Sequence, residues 1–202
     1  MSAPAETSTR VYNGSCHCGA TQYLVRLTFP PILDINAKSI RIYKCNCSTC
    51  TKMNLFHLRP IDPASDFLVL SPNPETDLGD YRTFKKVQSW YFCKECGVRC
   101  FGIGGEWETT EVDLDKWKGN EGSEGKTTKA WKLKAGEWKY EHEGKEVVRP
   151  SCYLSVNAVT VEPDQEGFSL KEWHEKGWIT YVDARHREGG PKVGEPYKWG
   201  SY

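Results

Sequence analysis

The sequence has no surplus of charge of either sign. Its 27 lysine and arginine residues are matched by 27 aspartate and glutamate residues, and its isoelectric point is near 6.9. A protein that binds nucleic acid or an anionic membrane surface usually carries a basic patch that shifts this balance. We therefore expect neither nucleic acid nor a membrane as a partner.

Long hydrophobic runs are also missing. The first ten residues are polar, unlike a secretory signal, and no stretch approaches the roughly 18 consecutive apolar residues of a membrane-spanning helix. Internal repeats and low-complexity tracts are absent as well. We therefore expect a cytoplasmic protein in which residues 1–10 are a disordered leader, residues 11–185 are a single domain and residues 186–202 are a tail.

Cysteine, in contrast, is abundant. Nine cysteines are present, and an odd number without a secretion signal argues against a disulfide framework. Seven of them lie in a CxC motif followed by glycine, a CxCxxC motif and a CxxC motif followed by glycine. Such short spacings are typical of metal ligands, and thiolate sulfur favours zinc. In chain order the seven are Cys16, Cys18, Cys45, Cys47, Cys50, Cys93 and Cys96.

The CxCxxC motif predicts a reactive metal site. Cys45, Cys47 and Cys50 can reach one ion together and leave one tetrahedral position open, as in catalytic zinc sites. The other four cysteines of the motifs predict a closed structural zinc site that joins distant segments. Two alternatives stay open: every cysteine is structural, or Cys100 completes and closes the central set.

A histidine lies close enough to the central motif to take part in chemistry. His57 follows Cys50 by seven residues and could carry a proton to a developing alkoxide or act as a fourth metal ligand. The alternative is a packed, hydrogen-bonded histidine of the core. Cys100 and Cys152 lie in apolar strand contexts and are expected in the core too.

Three cations flank the central motif: Lys44, Lys52 and Arg59. Several thiolates around one ion build up negative charge, which nearby positive charge would offset. The same cations could bind the carboxylates of a substrate. An ordinary solvated surface charge is the simpler interpretation for each of them.

The rest of the sequence predicts mostly β-strands. Residues 21–29 alternate apolar and polar side chains, as a half-buried strand does. The region 102–150 is polar but contains four tryptophans, which favours an insertion of hairpins packed by those rings, with a mobile tip at residues 119–125. One helix is expected over residues 169–176, capped by Gly177. Further strands are expected at residues 40–43, 67–70, 81–92, 151–161 and 178–183.

The cysteine motifs resemble those of the glutathione-dependent formaldehyde-activating enzyme family. The likeness is strong over residues 11–101, resumes around residues 153–161 and is weak over the insertion and the tail. The chain as a whole resembles a fungal-type member of the family that carries an insertion. The motifs that carry the resemblance are Gly14-x-Cys16-x-Cys18-Gly19, Cys45-x-Cys47-x-x-Cys50 and Phe92-Cys93-x-x-Cys96-Gly97.

The resemblance implies a mainly β fold of stacked antiparallel sheets stapled by zinc, called Mss4-like, with one short C-terminal helix. It also implies two zinc ions and glutathione as a co-substrate. The family reaction joins glutathione and formaldehyde into S-hydroxymethylglutathione, which is a carbon–sulfur lyase reaction run in reverse. The implied structural ligands are Cys16, Cys18, Cys93 and Cys96, and the implied catalytic ligands are Cys45, Cys47 and Cys50.

Three functions remain open at this point. The first is a zinc-dependent carbon–sulfur lyase or synthase that acts on S-hydroxymethylglutathione or on another thiol adduct of secondary metabolism. The second is a non-catalytic, zinc-stabilised binding module, whose central site a fourth ligand would close. The third is a methionine sulfoxide reductase, which would need a reactive cysteine outside the zinc sites.

Overall fold

The computed structural model describes residues 7–84, 86–120 and 126–202. These residues form two large β-sheets, a separate hairpin and a few short helices. The strands are β1 (Ser8–Ser15), β2 (Gln22–Phe29), β3 (Arg41–Cys45), β4 (His57–Arg59), β5 (Phe67–Ser71), β6 (Gly79–Arg82), β7 (Ser89–Phe92), β8 (Phe101–Gly104), β9 (Trp107–Asp113), β10 (Thr127–Leu133), β11 (Glu137–His142), β12 (Lys145–Pro150), β13 (Tyr153–Asn157), β14 (Thr180–Val182) and β15 (Lys192–Val193). The helices are α1 (Ser48–Lys52), α2 (Leu114–Lys118) and α3 (Leu170–Glu175), and a 3-10 turn covers Ala158–Thr160.

The predicted mainly β, antiparallel fold is confirmed. The five-stranded sheet has the order β1-β2-β5-β10-β9, and the eight-stranded sheet has the order β15-β14-β3-β4-β13-β8-β7-β6. Every strand pair in the described residues is antiparallel except β3 with β14. The expected C-terminal helix is α3, and the structure adds the short helices α1 and α2. None of the helices in the described part of the chain has the length and apolar content that a bilayer span requires.

The main core lies between the two large sheets and is rich in aromatic rings. Phe67 of the five-stranded sheet lies 5.2 Å from Phe101 of the eight-stranded sheet, measured between ring centroids. Tyr23 and Trp107 surround the same pair at centroid distances between 5.6 and 6.5 Å. All four side chains are buried. Tilted and edge-on contacts of this kind add to the stabilisation that comes from burying the rings.

Strand β2 shows the predicted alternation, but both of its faces are covered. Tyr23, Val25 and Leu27 face the main core, as expected. Leu24 on the opposite face is also buried, in a second cluster against which α2 packs Trp117. The guanidinium of Arg26 lies 4.3 Å from the ring centre of Trp117 and donates a hydrogen bond to the Trp117 carbonyl.

The region 102–150 divides among all three sheets. Strand β8 belongs to the eight-stranded sheet, β9 and β10 extend the five-stranded sheet, and only β11 and β12 form a hairpin of their own. Trp107 is buried in the core, whereas Trp138 on the hairpin is 60% exposed. Of the tip expected to be mobile, residues 121–125 lie outside the described residues.

The prediction of a disordered leader over residues 1–10 is wrong for its last three residues. Ser8, Thr9 and Arg10 begin β1, because they pair with the end of β2, where the Thr9 and Thr28 hydroxyls lie 2.8 Å apart. Arg10 also forms a 2.7 Å ion pair with Glu166. Residues 1–6 lie outside the described part of the chain.

The C-terminal part of the chain returns to the CxCxxC motif. Ser169 caps α3 by accepting a hydrogen bond from the Glu172 amide, and Gly177 ends the helix with a left-handed φ of +66°. The chain then enters β14, which pairs in parallel with β3 so that Val182 lies beside Cys45. This pairing places the residues that follow β14 next to the central cysteines.

Candidate active site and metal centres

The structure brings four of the predicted ligands together at one point. Cys16 and Cys18 follow β1, and Cys93 and Cys96 follow β7, yet their sulfur atoms all lie within 4.8 Å of one another. The Cys16 and Cys18 sulfurs are 3.5 Å apart, and those of Cys18 and Cys93 are 3.7 Å apart. Tetrahedral zinc with Zn–S bonds of about 2.3 Å requires sulfurs about 3.8 Å apart. The group therefore fits a four-sulfur metal site.

Glycine makes the turn of each half of this group possible. Gly19 and Gly97 follow the cysteine pairs and have φ values of +76° and +74°, in the left-handed region that other residues avoid. The chain can therefore reverse directly after Cys18 and Cys96. In both segments an amide supports the turn: that of Gly19 donates to the Cys16 carbonyl, and that of Gly97 to the Cys93 carbonyl.

The second group consists of the three cysteines of the CxCxxC motif. Cys45 ends β3, Cys47 caps α1 and Cys50 lies within α1, and their sulfurs are within 4.8 Å of one another. Backbone amides point at two of these sulfurs: the Cys47 amide lies 3.4 Å from the Cys45 sulfur, and the Cys50 amide 3.5 Å from the Cys47 sulfur. Within the described residues no fourth Cys, His, Asp or Glu joins the group. Cys100 is buried elsewhere and does not close it.

The three central thiols cannot ionise independently. Hydrogen bonds from the Cys45 and Cys50 thiols lower the pKa of Cys47, and the Cys45 and Cys47 sulfurs raise the pKa of Cys50. Negative charge on one sulfur thus opposes ionisation of the next. A cation between the three sulfurs removes this conflict, so the donor set suits a soft divalent metal such as zinc.

His57 lies beside the central group in a buried chain of hydrogen bonds. Its Nε2 atom is 3.1 Å from the Cys50 sulfur, and its Nδ1 atom is 2.7 Å from the Ser155 hydroxyl. The ring of Tyr43 stacks on the imidazole with centroids 4.4 Å apart and an angle of 7°. Burial lowers the pKa of His57 to about 4, and the nearby Cys47 thiolate only partly opposes this shift. The imidazole is therefore packed and neutral at pH 7, with both of its nitrogens engaged.

A pair of tyrosines lies next to His57. The hydroxyls of Tyr43 and Tyr153 are 3.1 Å apart, and the guanidinium of Arg59 lies 4.5 Å from the ring centre of Tyr153. Burial raises the pKa of both tyrosines, so both hydroxyls keep their protons at neutral pH. Tyr153 and Ser155 belong to β13, which pairs with β4 directly beside His57.

A cavity of about 460 Å³ opens over the central cysteines. Arg187 is the one lining residue in the described part of the chain that carries a permanent positive charge. Of the cations expected from the sequence, none lines the cavity: Lys44 donates to the Tyr202 carbonyl and Lys52 lies on the surface. The lining residues are Tyr43, Cys45, Cys47, Ser48, Thr49, Cys50, His57, Thr83, Phe84, Gln88, Trp90, Tyr153, Ala184 and Arg187.

The central cysteines and His57 are predictable from the sequence, whereas most of the other residues that line the cavity are not. Ser155 carries a detectable signal, because it is a polar residue between the buried apolar residues Leu154 and Val156 of one strand. The sequence pattern around Trp90 indicates only a strand, although its side chain packs with Cys50 and its Nε1 has no hydrogen-bond partner in the described residues. Arg187 stands in a polar tail and carries no local signal.

The fold and these two groups define a mainly β protein with two cysteine clusters that could bind metal. The profile of the family described as glutathione-dependent formaldehyde-activating enzyme matches residues 11–114, just over half of the chain. The chain belongs to this family. A crystal structure of a Rhodobacter sphaeroides protein is similar over 79% of this chain and 93% of the solved one, with 18% sequence identity and a TM-score of 0.39.

Proposed function

We propose that this protein is a zinc-dependent enzyme that joins glutathione and formaldehyde into S-hydroxymethylglutathione and catalyses the reverse cleavage of the carbon–sulfur bond. The observation that carries this proposal is the three-sulfur group on the wall of a cavity, since a closed site would have four ligands. Membership of the family supports this pair of substrates. We further propose a cytoplasmic location, in line with the sequence composition.

Each cysteine group has its own role in this proposal. The central three would hold a catalytic zinc ion, and Cys16, Cys18, Cys93 and Cys96 would hold a structural one. A zinc ion held by the central three cysteines would favour the thiolate form of a substrate sulfur. The remaining steps are assigned to the side chains around the three cysteines.

His57 is suited to hold Cys50 as a thiolate. A Cys50 thiolate can only accept a hydrogen bond, so we assign the imidazole proton to Nε2 and the role of donor to Nδ1 to the Ser155 hydroxyl. Because burial lowers the pKa of His57 and both nitrogens are engaged, we assign it a positioning role. The proton carrier and the fourth ligand considered from the sequence fit this geometry less well.

The reaction itself needs an attacking sulfur and a group that stabilises the new oxyanion. The substrate sulfur forms a bond to the aldehyde carbon, the carbonyl π bond breaks, and its electron pair moves to oxygen, which takes up the proton lost by the thiol. Tyr43 and Tyr153 line the cavity, and both hydroxyls are protonated at neutral pH. The two hydroxyls lie 3.1 Å apart, so one proton serves their mutual hydrogen bond and the other is left to donate. We assign this pair to donate one hydrogen bond to the new oxyanion.

Two other functions are less well supported. A closed binding module would need a fourth ligand at the central site, and none joins it within the described residues. A methionine sulfoxide reductase would need a reactive thiol outside the metal groups. Cys100 and Cys152 are the remaining cysteines, and burial raises the pKa of both, which is the opposite of what such a thiol requires.

The proposal is tested by measuring the exchange of formaldehyde hydrate with S-hydroxymethylglutathione by two-dimensional NMR. The zinc-loaded protein should accelerate this exchange above the uncatalysed rate. Cys47→Ser should abolish the acceleration, whereas the control variant Cys152→Ser, a cysteine outside both groups, should retain it. No acceleration by the wild-type protein, or equal acceleration by Cys47→Ser, would rule out the proposed function.

A further inference from the structure

Among the described residues that line the cavity over the central cysteines, the three sulfurs are accompanied by one permanently charged cation, Arg187. The lining residues in the described part of the chain include no aspartate or glutamate. Arg187 lies beyond residues 11–114, which match the family profile. Its charge is therefore a feature that the C-terminal part of this chain brings to the cavity.

The segment that carries Arg187 is fixed to the cysteine motif by a buried asparagine. Asn46, between Cys45 and Cys47, is 2% exposed, and its Nδ2 atom donates to the Asp183 carboxylate at 2.7 Å and to the Lys198 carbonyl at 3.2 Å. Its Oδ1 atom accepts a 3.0 Å hydrogen bond from the Arg185 amide. The Nδ2 and Oδ1 atoms of Asn46 are thus both engaged in holding the C-terminal segment.

Asp183 fixes the backbone on both sides of Arg187. Its carboxylate accepts hydrogen bonds from the amides of His186 at 3.1 Å and Glu188 at 3.3 Å. Between them Arg187 has a φ of +60°, a left-handed conformation that costs a non-glycine residue about 1 kcal/mol or more. The surrounding hydrogen bonds therefore hold Arg187 in an unfavourable conformation beside the cavity.

The two neighbouring arginines differ in how their guanidinium groups are used. The Arg185 guanidinium lies 5.3 Å from the ring centre of Trp199 and does not line the cavity. The Arg187 guanidinium forms no ion pair and no hydrogen bond within the described residues, and it is exposed. Arg187 is thus available to a ligand, and Arg185 offers a matched control.

We propose that Arg187 determines substrate specificity by binding a carboxylate of the thiol whose sulfur lies at the central cysteines. This inference rests on the proposed function and names the group that selects its substrate. A guanidinium binds a carboxylate through two parallel hydrogen bonds, which gives direction as well as charge. The cavity then selects acidic thiols over neutral ones.

The test measures binding without formaldehyde, so its readout is independent of turnover. Isothermal titration calorimetry compares glutathione with its diethyl ester, in which both carboxylates are blocked, on zinc-loaded wild type, Arg187→Gln and Arg185→Gln. We expect Arg187→Gln to weaken glutathione binding about tenfold, because it removes hydrogen bonds to a charged carboxylate, and to leave binding of the ester unchanged. Arg185→Gln should leave both affinities unchanged, and zinc content should be equal in all three proteins.

The outcomes separate this inference from the proposed function. Equal glutathione binding by wild type and Arg187→Gln, or equal loss of glutathione and ester binding, would overturn the role of Arg187. Failure of the wild-type protein to bind glutathione would overturn both the role of Arg187 and the proposed function. Binding that depends on Arg187, without any acceleration of formaldehyde exchange, would support the carboxylate site and exclude the proposed reaction.

Discussion

A methyl group added at Gly102 should displace the tryptophan on the cavity wall. Gly102 of β8 pairs with Trp90 of β7, and a Cβ atom at this position would lie 2.3 Å from Cε3 of the Trp90 ring. Trp90 is only 4% exposed and packs with Cys50 and Leu55. The ring therefore has to move by more than 1 Å, roughly the difference from an ordinary contact of about 3.5–4 Å.

The same strand contains a matched control. A Cβ atom at Gly104 would meet the Tyr153 Cβ at 3.5 Å and the Val87 carbonyl at 3.6 Å, which are ordinary contacts. Both Gly→Ala changes reduce the freedom of the unfolded chain, a stabilising effect of about 0.4–1 kcal/mol. Overpacking at Gly102 costs about 1–3 kcal/mol. Gly102→Ala should therefore be less stable than Gly104→Ala by about 2 kcal/mol, or about 4–8 °C in Tm for a chain of this length.

Thermal unfolding of both zinc-loaded variants, followed by circular dichroism at one fixed zinc concentration, measures this difference. Gly102→Ala should also slow formaldehyde exchange, because Trp90 borders the central cysteines, whereas Gly104→Ala should not. Equal Tm values for the two variants would show that Trp90 is not confined as the structure describes.

Three further predictions concern the hydrogen bonds and the metal groups. Ser155→Ala leaves Nδ1 of the buried His57 without its partner and should lower the free energy of unfolding by about 1–3 kcal/mol in urea denaturation; an unchanged midpoint would contradict this contact. Hydrogen bonds from Asn46 and two amides keep the pKa of Asp183 below its usual value despite its burial, so Asp183 stabilises the fold above about pH 4, and this stabilisation is lost as the pH falls further. The stability advantage of wild type over Asp183→Asn, measured by urea denaturation, should accordingly shrink as the pH falls below about 4; an advantage that grows there would refute the assignment. Removal of metal by a strong chelator, or Cys93→Ser, should lower the Tm much more than Cys47→Ser does, since only the four-sulfur group joins segments far apart in the chain; equal losses would contradict its structural role.

The cysteine groups could be predicted because their spacing is itself a physical constraint. Two or three sulfurs that bind one ion must lie within a few residues of each other or follow a tight turn, and the CxC, CxCxxC and CxxC motifs satisfy this requirement locally. Only the pairing of Cys16 and Cys18 with Cys93 and Cys96 is long-range. The alternation of β2 was equally local, and its buried face was predicted correctly.

Other parts of the site depend on contacts that no local pattern encodes. Leu24 is buried on the second face of β2 because α2, some 90 residues later, packs Trp117 there. Arg187 reaches the cavity only because β14 pairs in parallel with β3, and because Asn46 and Asp183 fix the segment that follows. In the sequence Arg187 looks like part of a polar tail, and nothing near it marks this contact.

The zinc content of the purified protein, measured with and without the change Cys47→Ser, tests the central claim most directly. We expect two zinc ions per chain in the wild type and one in the variant, with the circular dichroism spectrum kept and formaldehyde exchange lost. Cys152→Ser, the control, should retain both ions. One ion in the wild type, or two in Cys47→Ser with exchange intact, would contradict a reactive zinc site built from Cys45, Cys47 and Cys50.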